Sequence, residues 1–193
     1  MRKKIILGIV ILAVIVGAVY FNMNYAVVEE YYYEYEYDPP KHIVRTDTEK
    51  IDKIVNCTPS LKKYANLKSL SIAVDKETNL EYLSQMNSLE HISLFYFDGY
   101  CGKLETLPEL PNLRKLSLFG SLKTYDTFTI STENKYIFSN IEYLDLRVFN
   151  DIDFNSLNYF ENLHTLYTCN INNDLTEEQI KELQSKGINV EIK

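Results

Sequence analysis

Cysteine is scarce in this chain, and its spacing excludes more than it suggests. Cys57, Cys101 and Cys169 form no Cys-x-x-Cys pair and no metal-ligand spacing, and an odd count argues against a disulfide framework. None lies near the end of the amino-terminal apolar run, so lipid attachment of the bacterial lipoprotein type is not expected. Basic residues are also few. Beyond Lys4 there are 17 against 27 acidic ones, which argues against a nucleic-acid partner and leaves an acidic, solvated surface. No cofactor or metal is expected.

Arg2, Lys3 and Lys4 precede seventeen uncharged residues, Ile5 to Phe21. As a helix rising 1.5 Å per residue, such a run just spans a hydrocarbon core of roughly 30 Å. The expectation is a transmembrane signal anchor. A signal peptide cleaved near Val16-Gly17-Ala18 is the alternative, and a buried core helix is disfavoured by the lack of a polar face. No basic residue follows the run until Lys41, so the positive-inside rule puts residues 1–4 in the cytoplasm and residues 22–193 outside, on a single-pass cell-membrane protein or, after cleavage, a secreted one.

Residues 22–40 read as a linker that ends in a tyrosine-rich strand. Tyr31, Tyr33, Tyr35 and Tyr37 alternate with Tyr32, Glu34 and Glu36 before Pro39-Pro40 stops the pattern. Such a strand either covers one edge of a sheet or offers an adhesive aromatic patch. Ile43-Val44 suggests a short strand. Asp47 or Thr48 suggests the cap of a helix carrying Ile51, Ile54 and Val55. Residues 41–66 thus form an expected amino-terminal cap, and 41–193 the main domain.

That domain is repetitive. Aligning copies on Leu67, Leu89, Leu113, Ile141 and Leu163 gives spacings of 22, 24, 28 and 22 residues. Three residues on stand Leu70, Ile92, Leu116, Leu144 and Leu166; five on stand Ile72, Leu94, Leu118, Leu146 and the exception Thr168. Before the anchor, the −1 column reads Asn66, Ser88, Asn112, Asn140 and Asn162, and the −3 column Tyr64, Met86, Leu110, Phe138 and Phe160. The −6 column holds Leu61, Leu83, Leu107 and Leu157 and breaks at Lys135. The longer copies carry a turn-forming loop at Asp98–Gly102 and an alternating stretch, Lys123–Ile137, that suggests a small hairpin. After the last copy, Thr176-Glu177-Glu178-Gln179 reads as a capping box, Gly187 as a helix stop and Ile188–Ile192 as a final edge strand.

These columns resemble the leucine-rich repeat family, most closely the bacterial internalin-like type with 22-residue copies, over about residues 60–170. The resemblance implies an α/β fold: a curved solenoid with a concave parallel β-sheet, here preceded by one transmembrane helix. The family's usual +8 asparagine is missing, since that column reads Asp75, Phe97, Ser121, Phe149 and Ile171, so irregular turns are expected after the strands.

Residues at +2, +4 and +6 would face away from the leucines. From those columns the candidate binding residues are His91, Phe95, Lys115, Ser117, Phe119, Tyr143, Asp145, Arg147 and Tyr167. Phe95 and Phe119 are adjacent aromatics beside Arg147, the residue types that anchor interfaces, unless flanking loops cover both rings. The expected function is an extracytoplasmic, membrane-tethered repeat protein that binds a protein or cell-surface polymer through this face. A different class is a structural envelope protein associating laterally through the tyrosine strand. Catalysis is not expected: His91 and His164 would stand about 14 Å apart across three strand spacings, and Ser93 beside His91 has no evident positioned acid.

Overall fold

The computed structural model describes residues 2–31, 40–96, 104–120, 127–130, 137–149, 151–169 and 175–192. The chain is α/β, built on a seven-stranded parallel sheet with few helices. A helix, α1 (Arg2–Asn24), leads into an antiparallel hairpin of β1 (Tyr25–Glu29) and β2 (Lys41–Arg45). The sheet contains β3 (Lys50–Asn56), β4 (Ser69–Val74), β5 (His91–Tyr96), β6 (Lys115–Gly120), β8 (Tyr143–Asp145), β10 (Thr165–Thr168) and β11 (Asn189–Ile192), in chain order across the sheet. Two short strands, β7 (Thr127–Phe128) and β9 (Asp151–Ile152), pair separately, and a second helix, α2 (Glu177–Ser185), precedes β11.

The register of the sheet is the alignment of the columns. Leu70 pairs with Ile92, Ile92 with Leu116, Leu116 with Leu144, Leu144 with Leu166, and Leu166 with Val190. With a side-chain period of two, the +3 and +5 residues fall on one face, and all ten are buried, Thr168 included. The return segments complete each core layer. Leu61, Leu83 and Leu157 sit in single 3₁₀ turns and Leu107 just after one; the −3 residues Tyr64, Met86, Leu110, Phe138 and Phe160 are buried beside them.

Two hydrogen-bond patterns repeat with the copies. The anchor N–H donates to the −3 carbonyl in all five, from Leu67 to Tyr64 through Leu163 to Phe160. One carbonyl of each copy then accepts from two consecutive N–H groups of the next: Lys68 from Glu90 and His91, Glu90 from Arg114 and Lys115, Arg114 from Glu142 and Tyr143, Glu142 from His164 and Thr165. The −1 asparagines add a rung outside the strands. Asn112 Nδ2 donates to the Asn87 carbonyl at 2.7 Å, Asn140 to Pro111 at 3.4 Å and Asn162 to Ser139 at 2.8 Å. At the +8 positions Asp75 ties its own turn, accepting from Glu77 N–H at 2.9 Å and the Thr78 hydroxyl at 2.7 Å, and Phe149 packs edge-on against Phe128 at 5.5 Å.

Several expectations are corrected. Among the described residues no helix is long and apolar enough to cross a membrane, which overturns the transmembrane helix, signal anchor and membrane attachment expected for residues 5–21. The described end of α1 turns polar at Asn22 and Asn24. The orientation drawn from the positive-inside rule loses its premise. The end of the helix is instead tied to the cap, where Lys63 Nζ donates to the Asn22 side chain at 2.8 Å and Thr46 N–H to the Asn24 carbonyl at 2.9 Å.

The expected helix at 47–55 is strand β3. A register shift inserts two extra residues, since Lys50 lies opposite Ser69 but Ile54 opposite Ser71, and this bulge lets Ile51 and Val55 both bury at a spacing that imitates a helical face. The described part of the expected 123–137 hairpin does not fold on itself: β7 pairs in parallel with β9. The tyrosine strand beyond Tyr31 and the Asp98–Gly102 loop lie outside the described residues. Tyr31 N–H donates to the Ile54 carbonyl, and Glu30 bridges Val55, so the chain reaches the β3 edge of the sheet just before that run.

At the far end Thr176 and Gln179 form a reciprocal capping box, and Gly187, at φ 86°, takes the left-handed conformation that closes α2. Leu116→Ala, which opens a cavity at a fully buried position, is expected to cost about 2–5 kcal/mol in urea denaturation, and Asn112→Ala about 1 kcal/mol through its single rung.

Candidate functional site

The strand face opposite the leucines carries the +2, +4 and +6 residues in rows across the sheet. Register puts Ser69, His91, Lys115, Tyr143 and Thr165 in one row and Ser71, Ser93, Ser117, Asp145 and Tyr167 in the next. Ala73, Phe95 and Phe119 continue in the third. The candidate residues resolve into three neighbouring groups.

The first is centred on His91, whose ring lies over the serines. Its Nδ1 is 3.4 Å from the Ser69 hydroxyl, and its Nε2 is 3.3 Å from Ser93 and 3.4 Å from Ser117. Ser93 and Ser117 are buried, as are Ala73, Asp145 and Thr165 on the same face. Burial pushes the imidazole down to about 4, helped by Lys115 and Lys50 and opposed by Asp145. The ring is therefore neutral at ordinary pH and trades hydrogen bonds with three hydroxyls. A Ser-His-acid triad would need a carboxylate at Nδ1, where this ring meets Ser69. Lys115 stands beside His91 with no ion pair among the described residues.

The second group is the pair Phe95 and Phe119, stacked at 4.7 Å between centroids with planes 20° apart. Both rings are partly exposed. Offset stacking on neighbouring strands holds each ring in place and contributes about 0.5–1.5 kcal/mol beyond burial.

The third group is an ion pair between the end of β8 and the turn that follows it. Asp145, only 5 % exposed, accepts from Arg147 Nε at 2.9 Å and Nη2 at 2.6 Å. Arg147 N–H adds a third contact at 3.3 Å, and the guanidinium lies 5.8 Å from the Tyr167 ring. The hydrogen bond to Asp145 raises the Arg147 pKa above its usual value, so the cation is permanent. Tyr143, 39 % exposed, joins none of these contacts and lies beside Lys115 in the register.

The structure thus joins His91 to Ser117, Phe95 to Phe119, and Asp145 to Arg147 and Tyr167. Ser69 and Ser93 belong to the first group although attention falls first on His91; their place in the same columns was the available signal. The Asp145–Arg147 pair also had one, opposite charges two residues apart on one strand face. His164 is exposed and immediately precedes β10, three strands away from β5.

Because the His91 pKa is depressed from about 6.5 unfolded to about 4 folded, its contribution is complete above pH 6.5 and is lost as pH falls toward 4. His91→Gln is expected to remove that part of the slope. The difference between the two stability curves over pH 4–6.5 should be on the order of 1 kcal/mol, reduced from full conversion because the ring is partly solvated.

The chain matches no family model, and no curated protein shows significant similarity to it.

Proposed function

We propose that this chain is a leucine-rich repeat module that binds a protein or surface polymer through the strand face opposite its leucine core. The observation that carries the reading is the partly exposed Phe95–Phe119 stack on β5 and β6, with the group of Asp145, Arg147 and Tyr167 beginning on the next strand. Aromatic rings and arginine dominate binding energy at protein interfaces, because they bury large areas at small entropic cost. Here they are held before any ligand arrives. Stacking fixes the rings, and a buried carboxylate fixes the guanidinium, so little side-chain freedom remains to be lost on association.

The repeat columns support the family reading. Five copies bury equivalent residues and stack in parallel register at intervals of 22 to 28 residues. The hydroxyls around His91 supply a polar margin beside the rings, as interfaces with an apolar centre require.

The test is capture of a partner from cell extract by the full chain and by Phe119→Ala combined with Asp145→Asn and Arg147→Gln, which removes the buried carboxylate together with its cation. Loss of capture by tenfold or more is expected, with the circular dichroism spectrum unchanged. Undiminished capture by a folded triple variant would remove the strand face from the function.

A further inference from the structure

We infer that the partner presents a carboxylate next to an apolar side chain, in an extended acidic peptide segment. This rests on the strand-face reading just given and names the chemistry that the face selects. The chain as a whole is acidic, with 27 acidic against 20 basic residues, yet Asp145 is the only carboxylate in the +2, +4 and +6 columns from Ser69 to Cys169. That one carboxylate is spent. Both of its oxygens are held by Arg147, and the residue is buried.

Arg147 is not spent. Asp145 takes Nε and Nη2, and the other terminal nitrogen, Nη1, has no partner among the described residues. A guanidinium has five N–H donors in a fixed plane, so those left over keep a defined direction when the carboxylate clamps one edge. Lys115 adds a second cation without an ion pair among the described residues. From β4 to β8 this face therefore offers cationic donors while its one carboxylate is already held, and the next in the row, Glu191 opposite Tyr167 on the edge strand β11, accepts from Asn189 Nδ2 at 3.2 Å, so the surroundings of Arg147 favour an anionic partner over a cationic one.

The Phe95–Phe119 stack adds the apolar requirement. Its rings belong to β5 and β6, and the strand carrying Arg147's pair follows next, so an apolar contact and an anion contact lie about one strand spacing, roughly 4.8 Å, apart. In an extended peptide, side chains two residues apart point the same way at about 6.7 Å, and the length of Arg147 covers the difference. A peptide with an apolar residue and an acidic residue two positions on satisfies both contacts at once.

The probe is an acetylated nonapeptide of serine and glycine carrying one phenylalanine and, two positions on, one glutamate. Glutamine and lysine versions serve as controls, and polygalacturonate offers carboxylates on a sugar backbone. Binding to the isotope-labelled full chain is followed by NMR shift titration. The glutamate peptide is expected to bind about tenfold more tightly than the glutamine version and more tightly still than the lysine version. Arg147→Gln alone leaves Asp145 buried without its cation, so it is combined with Asp145→Asn; the double variant should bind the glutamate and glutamine peptides equally. Equal binding of all three peptides by the unaltered chain would overturn the inference while leaving the strand face as the binding surface. So would a preference of the double variant for glutamate, and stronger binding of polygalacturonate would replace the peptide with a polymer. Unchanged binding of every probe by Phe119→Ala would overturn the strand-face reading itself.

Discussion

One carbonyl per copy, shared between two N–H groups of the next, sets the phase of the whole stack. Lys68, Glu90, Arg114 and Glu142 each act this way at the entrance to a strand. A parallel strand that slipped by one residue would turn every leucine outward and every face residue inward, and the shared carbonyl at the entrance opposes that slip before the strand begins. The return turn, closed by the anchor N–H on the −3 carbonyl, delivers the chain to the same point each time. Copies of unequal length therefore pair in the same register, because the extra residues of the longer ones lie between one strand's exit and the next entrance.

The face inherits this order. Since rows on the open side are the complement of rows on the buried side, fixing Leu94 against Leu118 also fixes Phe95 against Phe119. No separate device is needed to bring the rings within stacking distance. The same logic puts Ser93 and Ser117 within reach of His91, where hydroxyls that would otherwise be buried alone find the imidazole. Local departures are made by side chains. Asp145 at the end of β8 and Arg147 in the turn after it close a ring, giving that end of the face a fixed cation.

The repeat columns made the strands, their order and the buried positions legible from residues alone, because leucines at fixed offsets have one economical arrangement. Residues outside the repeats were less so. The spacing of Ile51, Ile54 and Val55 fits a helix, and a bulge invisible to periodicity turns the same residues into an edge strand. The apolar run at the amino terminus suggested a span from composition, and among the described residues no helix is long and apolar enough to cross a membrane. On the face, position could be read and partnership could not: that Asp145 would close on Arg147 instead of orienting His91 depends on side-chain reach. The −1 asparagines were visible as a column, but their role as rungs requires knowing which carbonyl the preceding copy turns toward them.

Those rungs have a gap. Asn112, Asn140 and Asn162 each reach back one copy, but the second copy carries Ser88 in that place, and serine makes no such bond among the described residues. Between the first and second copies the side-chain stitching moves to the strand exits and the outer turns, where the Cys57 thiol donates to the Asn79 carbonyl at 3.2 Å and Lys62 lies 5.1 Å from the centre of the Tyr82 ring. The seam also keeps a six-residue strand ladder, from Ser69 opposite His91 to Val74 opposite Tyr96, twice the three-residue pairing on either side of β8, so the missing rung falls where the backbone has most to spare.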